Sequence, residues 1–251
     1  MPLYRSEALV LRTYRYGEAD QIVVFLTRDR GKKRGVAKNA LKSRRRFMGA
    51  LEPLTRGCVA YFEREHRELV RVDAVEPARS PFAAAAGGDP DALAHIGYFA
   101  ELLDEWTPDA DPHETLFRLG ASMVEALAVG APAAPLARYF EYWLLRLQGV
   151  YPSLAGCGAC GGSLAEGAVV LPRAHEFVCR GCVPGGADAA GTLSPAALEF
   201  LRGSAGTPPA GVAALGLAEA TARELETAHH RLISTHLEKE LKSVRVLREL
   251  R

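Results

Sequence analysis

The sequence predicts an α+β chain of more than one domain: a small closed β-barrel first, then an α-helical domain with a cysteine-rich insert. Three observations predict it. About five β-like runs crowd into the first eighty residues, apolar residues recur at helical spacing beyond residue 90, and two Cys-x-x-Cys pairs stand eighteen residues apart. With 251 residues, 48% of them hydrophobic, there is material for a sizeable core in one large domain or two to three small ones.

The β-like runs come in order. Ser6 to Tyr16 is apolar and aromatic, and Gly17-Glu18-Ala19-Asp20 turns it back into QIVVFLTRD. A turn near Gly31 leads to KKRGVAKN, and RGCVAYFERE and LVRVDAVEP follow as a hairpin across Arg64-Glu65-His66-Arg67. Five strands in this length match an OB-fold over residues 1–80, although an SH3-like barrel reads much the same. Cys58 falls inside an apolar run and is expected in the core.

Residues 81–251 read as the helical domain. After the loose run AAAAGGDP comes the helix ALAHIGYFAELLDEW, then TLFRLGASMVEALAVG, with Asp111 as N-cap, Pro112 at N1 and Glu114 at N3. Pro132 and Pro135 open APLARYFEYWLLRLQG. Its cluster Tyr139, Phe140, Tyr142 and Trp143 sits at helical spacing among leucines, which favours core packing over a base-stacking box. Ser194-Pro195 caps a short helix, and one long helix is expected from about Leu217 to Leu250. Lys239, Lys242, Arg245 and Arg248 recur along its end, either as a solvated face or as a second basic patch. His229, His230 and His236 on the same helix carry no special role in this reading.

Charge is unevenly spread. The formal net charge is +1, but residues 1–80 carry +8, residues 81–156 carry −7 and residues 157–251 balance. The segment Arg28 to Phe47 holds ten basic side chains against the single acid Asp29. Crowding like charges is costly unless an anion settles there, and a phosphate backbone is the commonest such partner. Phe47 at its end is a candidate stacking aromatic.

Cys157, Cys160, Cys179 and Cys182 form two short knuckles in a glycine-rich stretch at about residues 153–191. The spacing lies in the zinc range, and four thiolates fill a tetrahedron, so one structural Zn2+ with no open catalytic position is expected. VVLPRAHEFVC between the knuckles would be a hairpin pinned by the metal, and His175 within it is surplus to the ligand set. Gly156, Gly158 and Gly161 also spell G-x-G-x-x-G, but they follow a helix and a proline where a dinucleotide site needs a strand. No P-loop, H-E-x-x-H, G-x-S-x-G or K-x-D-G motif occurs, which argues against an enzyme. No stretch of 18 consecutive apolar residues occurs and the N-terminus does not read as a signal peptide, so a cytoplasmic, non-membrane protein with reduced cysteines is expected.

Three segments carry a resemblance that spans essentially the whole chain. The N-terminal EALVLRTYRYGEADQIVVFLTRDRGKKRGVAKNALKSRRRFMGALEPLT, the four-cysteine insert and the ending THLEKELKSVRVL together resemble the bacterial RecO family of DNA repair and recombination mediators. The resemblance implies an N-terminal OB-fold, a helical domain with an inserted four-cysteine zinc finger, and binding of single- and double-stranded DNA. It also implies strand annealing, partnership with RecR and single-strand DNA-binding protein, and a nucleoid-associated location in the cytoplasm. On this sequence the DNA role falls on Lys32, Lys33, Arg34, Lys38, Lys42, Arg44, Arg45 and Arg46, with Lys239 and Lys242 as weaker candidates. An RNA-binding module or a zinc-pinned nucleic-acid-processing protein fits the residues as a second reading.

Overall fold

The computed structural model describes residues 2–47, 49–64, 67–82 and 89–250; the side chains of Arg44 and Arg45 lie outside that description. The chain divides into two compact units, Met1–Gly130 with Lys242–Arg251, and Ala131–Leu241.

The first unit opens with five strands: β1 (Leu3–Tyr16), β2 (Asp20–Thr27), β3 (Gly31–Ala37), β4 (Arg56–Phe62) and β5 (Leu69–Arg79). They close in the order β1-β2-β3-β5-β4, with β4 returning antiparallel to β1 and β3 running parallel to β5. Closure leaves no free edge and gives the expected OB-like barrel. Val10, Phe25, Val59, Tyr61, Val70 and Val72 face its interior, as the period of two dictates. The same alternation turns Cys58 outward: between Gly57 and Val59 it is half-buried, beside Arg5, and not in the core as its apolar run suggested. Gly31 must be glycine, because its φ is +70° and a Cβ there would meet the Asp111 carbonyl oxygen at 2.4 Å.

A single helical turn, α1 (Arg44–Phe47), plugs one end of the barrel. Phe47 is only 4% exposed and packs with Ala50 and Leu51 in the barrel core. It is a plug and not a stacking platform, since an aromatic ring gains more from filling a closed end than from solvent contact.

Two longer helices follow in this unit, α2 (Pro90–Trp106) and α3 (Glu114–Ala128). Asp89 caps α2 by accepting the Asp91 amide. The cap expected at Asp111 is not used; α3 begins at Glu114 with His113 as N-cap and no side-chain capping bond. Asp111 stays in the connection, where its backbone lies against Gly31. Glu114 instead pairs with Arg28 at 3.0 Å.

Lys32, on β3, is 7% exposed, and its ammonium lies 2.6 Å from the Asp104 carbonyl oxygen and 3.2 Å from Asp104 Oδ1. It is a strut between barrel and α2. Lys32→Ala is expected to lower stability by about 2–3 kcal/mol, because Asp104 is left with a buried, unpaired oxygen. A urea melt checks this, and a change under about 0.5 kcal/mol contradicts it.

The second unit holds α4 (Ala133–Leu147), a small sheet of β6 (Ala168–Leu171), β7 (Glu176–Val178) and β8 (Thr192–Leu193), then α5 (Pro195–Gly206) and α6 (Glu219–Leu237). Ser194 caps α5 as expected, accepting the Ala197 amide at 3.3 Å. Phe140 and Tyr142 are buried to 0% and 1% exposure, and Trp143 donates its indole N–H to the Ser204 carbonyl at 3.1 Å. The aromatic cluster is core.

The long final helix is broken. Glu238 takes a left-handed conformation (φ 54°) that ends α6, and the chain restarts as α7 (Lys242–Glu249) in the first unit. The restart is capped from outside: Glu101 of α2 accepts the amides of Lys242 at 3.2 Å and Ser243 at 2.8 Å. The basic stripe read as continuous is therefore split, with Lys239 in the second unit and Lys242 in the first.

Candidate nucleic-acid groove and metal centre

A groove of about 540 Å³ opens on the barrel, lined by Tyr16, Asp20, Val36, Lys38, Phe62, Arg64, Arg67, Leu69, Val70 and Arg71. Its origin is local. β3 and β5 run parallel here, so Arg71 stands beside Val36, and across the β4–β5 pairing it faces Phe62. The Arg71 guanidinium sits 5.1 Å over the Phe62 ring. Tyr16 stands at the rim, 51% exposed. Among the described lining residues four cations meet one acid, Asp20, whose Oδ1 is already engaged by the Asn39 amide at 2.7 Å; Asp73 stands 3.7 Å from the Arg71 guanidinium. Cations interleaved with aromatic faces are what a single nucleic-acid strand needs: charge for phosphates and rings for bases.

The sequence placed the basic surface on the run from Lys32 to Arg46, of which Lys38 lines this groove, and the structure sorts the other members. Lys32 is buried and committed to Asp104, so it cannot face a phosphate. Lys33 has only 13% of its side chain exposed and pairs with Glu63 at 2.7 Å. Arg34 is half exposed with Asp109 3.7 Å away. Lys38 lines the groove and Lys42 is exposed nearby in sequence. Arg46 is a structural tie: its guanidinium donates to the Lys38 carbonyl at 2.7 Å and to the Asp73 carbonyl at 3.3 Å. Removing Arg46 would therefore disturb the barrel plug as well as any surface. Arg44 and Arg45 belong to the proposed set, with side chains outside the description.

Arg64, Arg67 and Arg71 were missed. In the sequence they sit among Glu63, Glu65, Glu68 and Asp73, so they look like a mixed, solvated hairpin. Only folding brings the three arginines into one groove with Lys38, with Asp73 still 3.7 Å from Arg71.

The thiol centre in the second unit forms as the spacing predicted. Gly161, with φ +68°, lets the first knuckle turn so that its amide reaches the Cys157 carbonyl at 2.8 Å. The Gly158 amide donates to the Phe177 carbonyl at 2.8 Å, tying that knuckle to β7, and β6 and β7 form the hairpin between the knuckles. The Sγ atoms of Cys157, Cys160, Cys179 and Cys182 all lie within 4.8 Å of one another. Zinc–sulfur bonds of about 2.3 Å place tetrahedral sulfurs about 3.8 Å apart, so the cluster fits with small inward shifts. The amides of Cys179 and Cys160 hold the Cys157 thiol at about 6, while the neighbouring Cys179 and Cys160 thiols push Cys182 up to about 12. Four thiolates cannot ionise together unaided, and a divalent cation removes that conflict.

Behind the knuckle lies a buried polar chain that the sequence did not show. Glu141 and Arg138, one helical turn apart on α4, pair at 2.8 Å with 0% and 2% of their side chains exposed. Glu141 also accepts from His229 Nδ1 at 2.8 Å, and His229 Nε2 meets the Tyr151 hydroxyl at 2.8 Å. Burial alone would raise the Glu141 carboxyl, but Arg138 and the two histidines hold it well below the carboxylate range. Burial keeps His229 below its ordinary 6.5. In the folded state both groups therefore bind protons less readily than in the unfolded chain, and this stability is lost as pH falls. The second unit is expected to weaken from just below pH 6.5, and more steeply below the carboxylate value of 4.5. Denaturation midpoints from pH 8 to 4 check this; a flat profile contradicts it.

A closed OB-like barrel joined to a helical unit with a four-thiol centre defines the class: a two-unit OB protein with a cysteine knuckle. Residues 1–81 match the family model described as Recombination protein O N terminal, and residues 87–245 match Recombination protein O C terminal. The chain belongs to the RecO family. It is 46% identical over 177 residues to the DNA repair protein RecO of Koribacter versatilis (strain Ellin345), covering 70% of this chain and 71% of that one. It is 37% identical over 255 residues to that of Anaeromyxobacter sp. (strain K), covering 100% and 98%. With the Geobacter sulfurreducens protein (strain ATCC 51573 / DSM 12127 / PCA) it shares 36% over 250 residues, 98% of each. Among the described residues, no helix is long and apolar enough to cross a membrane.

Proposed function

We propose that this chain is a DNA repair and recombination mediator that binds single- and double-stranded DNA and anneals complementary strands. The observation that carries the reading is the barrel groove, where Lys38, Arg64, Arg67 and Arg71 converge with Phe62 and Tyr16. The mechanism is electrostatic and not catalytic. Cations neutralise phosphates on two strands, lowering their repulsion so that bases can find partners, and aromatic faces hold bases without reading sequence. Lys42, Arg44 and Arg45 would extend the basic surface. Partnership with RecR and single-strand DNA-binding protein, and a cytoplasmic, nucleoid-associated location, are part of this reading, and membership of the RecO family supports them. Cys157, Cys160, Cys179 and Cys182 would hold one Zn2+ as a structural pin for the β6–β7 hairpin.

The test is a salt series of binding to single-stranded oligonucleotides. If about five phosphates are neutralised, log K falls against log salt with a slope near −3 to −4. A slope near zero sinks the reading, and tighter binding to RNA in direct competition would redirect it from DNA.

A further inference from the structure

The four thiols of the centre are not equivalent. Cys157 is 3% exposed and its Sγ accepts the Cys179 amide at 3.3 Å. Cys179 and Cys182 are half-buried, whereas Cys160 is exposed. Cys160 is therefore the residue of the four that solvent, and an oxidant dissolved in it, reaches most readily. With all four Sγ atoms within 4.8 Å, a second thiolate stands a short movement from bonding distance, which is about 2 Å in a disulfide.

We propose that the thiol centre is a peroxide-sensitive metal-release site in which Cys160 is the sulfur attacked. The proposal rests on the zinc reading above. The Cys160 thiolate gives two electrons to hydrogen peroxide, breaking the O–O bond, forming the sulfenic acid and releasing hydroxide. A neighbouring thiolate of the centre then attacks that sulfur, forming a disulfide and expelling a second hydroxide. In sum, two thiolates and one peroxide give one disulfide and two hydroxides. Two ligands are lost, and the remaining pair holds Zn2+ far more weakly.

The release has a path into the fold. Phe177 on the pinned hairpin is 1% exposed and packs edge-on against Tyr151 at 5.7 Å, and Tyr151 lies 5.0 Å from the Tyr142 ring. Tyr142 in turn contacts Trp143 at 5.5 Å, so loosening the hairpin should change the Trp143 emission. The DNA groove lies in the other unit, built from different residues.

The experiment uses the zinc-loaded full chain carrying Cys58→Ser, with metal content measured first. Peroxide is expected to release Zn2+ to a chromogenic chelator, dimedone should mark Cys160 in peptide mass maps, and a dithiol reductant should restore binding. Cys160→His keeps a three-cysteine, one-histidine ligand set without the exposed thiol, and should slow release about tenfold. Metal retained under peroxide, dimedone on a different cysteine, or zinc-loaded Cys160→His releasing at the parent rate would each overturn the proposal. A chain that takes up no zinc at the outset refutes the zinc reading itself, and this proposal with it. If Cys160→His alone fails to hold metal, the dimedone map decides.

Discussion

Replacing Lys38, Arg64, Arg67 and Arg71 together by Ala is expected to lower affinity for single-stranded DNA about a hundredfold at moderate salt. The same change should flatten the salt dependence, because fewer counterions are released when fewer phosphates are neutralised. The four side chains line the groove at its rim and add little to the fold, so the melting temperature should move by no more than about 2 °C. Arg71→Ala alone also removes the cation over Phe62, and Phe62→Ala should cost about 1–3 kcal/mol of binding if a base stacks there. Lys33→Ala is the internal control: it removes a charge from the same basic run, but one already paired with Glu63 and largely covered. Its effect on DNA binding should be small. Equal losses from Lys33 and from the groove residues would place the interface elsewhere.

Glu141→Ala should destabilise the second unit by about 3–5 kcal/mol, the penalty for breaking a buried pair and stranding one charge. Arg138 would then be left with Glu226, at 3.8 Å, and His229 would lose the acceptor for its Nδ1 proton. The chain's two tryptophans allow the effect to be localised, since Trp106 is in the first unit and Trp143 in the second. In a Trp106→Phe background, the Trp143 emission should report the shifted denaturation midpoint. Glu141→Gln keeps the shape and a hydrogen-bond acceptor but not the charge, and should recover only part of the loss. A shift below about 1 kcal/mol for Glu141→Ala would show that the pair contributes no net stability, as replaceable buried pairs sometimes do.

Much of the architecture was legible because it rests on local signals. Strand alternation, the Gly17 and Gly31 turns, the Ser194-Pro195 cap and the two cysteine knuckles each act over a few residues, and each formed where the sequence put it. What the sequence hid depends on residues far apart. Lys32 reads as one more cation until Asp104, seventy-two positions away, claims it. Glu101 caps a helix 141 residues downstream, so no local signal marks the restart at Lys242. His229 looks unremarkable until Glu141 and Tyr151 are brought to it by packing. The groove is the same case: the run of ten cations from Arg28 to Phe47 supplies only Lys38 to the convergent cluster, and the rest comes from the β4–β5 hairpin, whose charges looked balanced. Charge density along a chain is a poor guide to charge density on a surface when strands alternate.

The central claim is that the barrel groove binds DNA and brings strands together. Its most direct test is annealing of labelled complementary oligonucleotides, without ATP, across a salt series, for the parent chain and for the Lys38/Arg64/Arg67/Arg71 quadruple-Ala chain. The account predicts acceleration by the parent that fades with salt and is largely lost in the quadruple variant. Undiminished acceleration by the quadruple variant, or none by the folded parent at low salt, would contradict it.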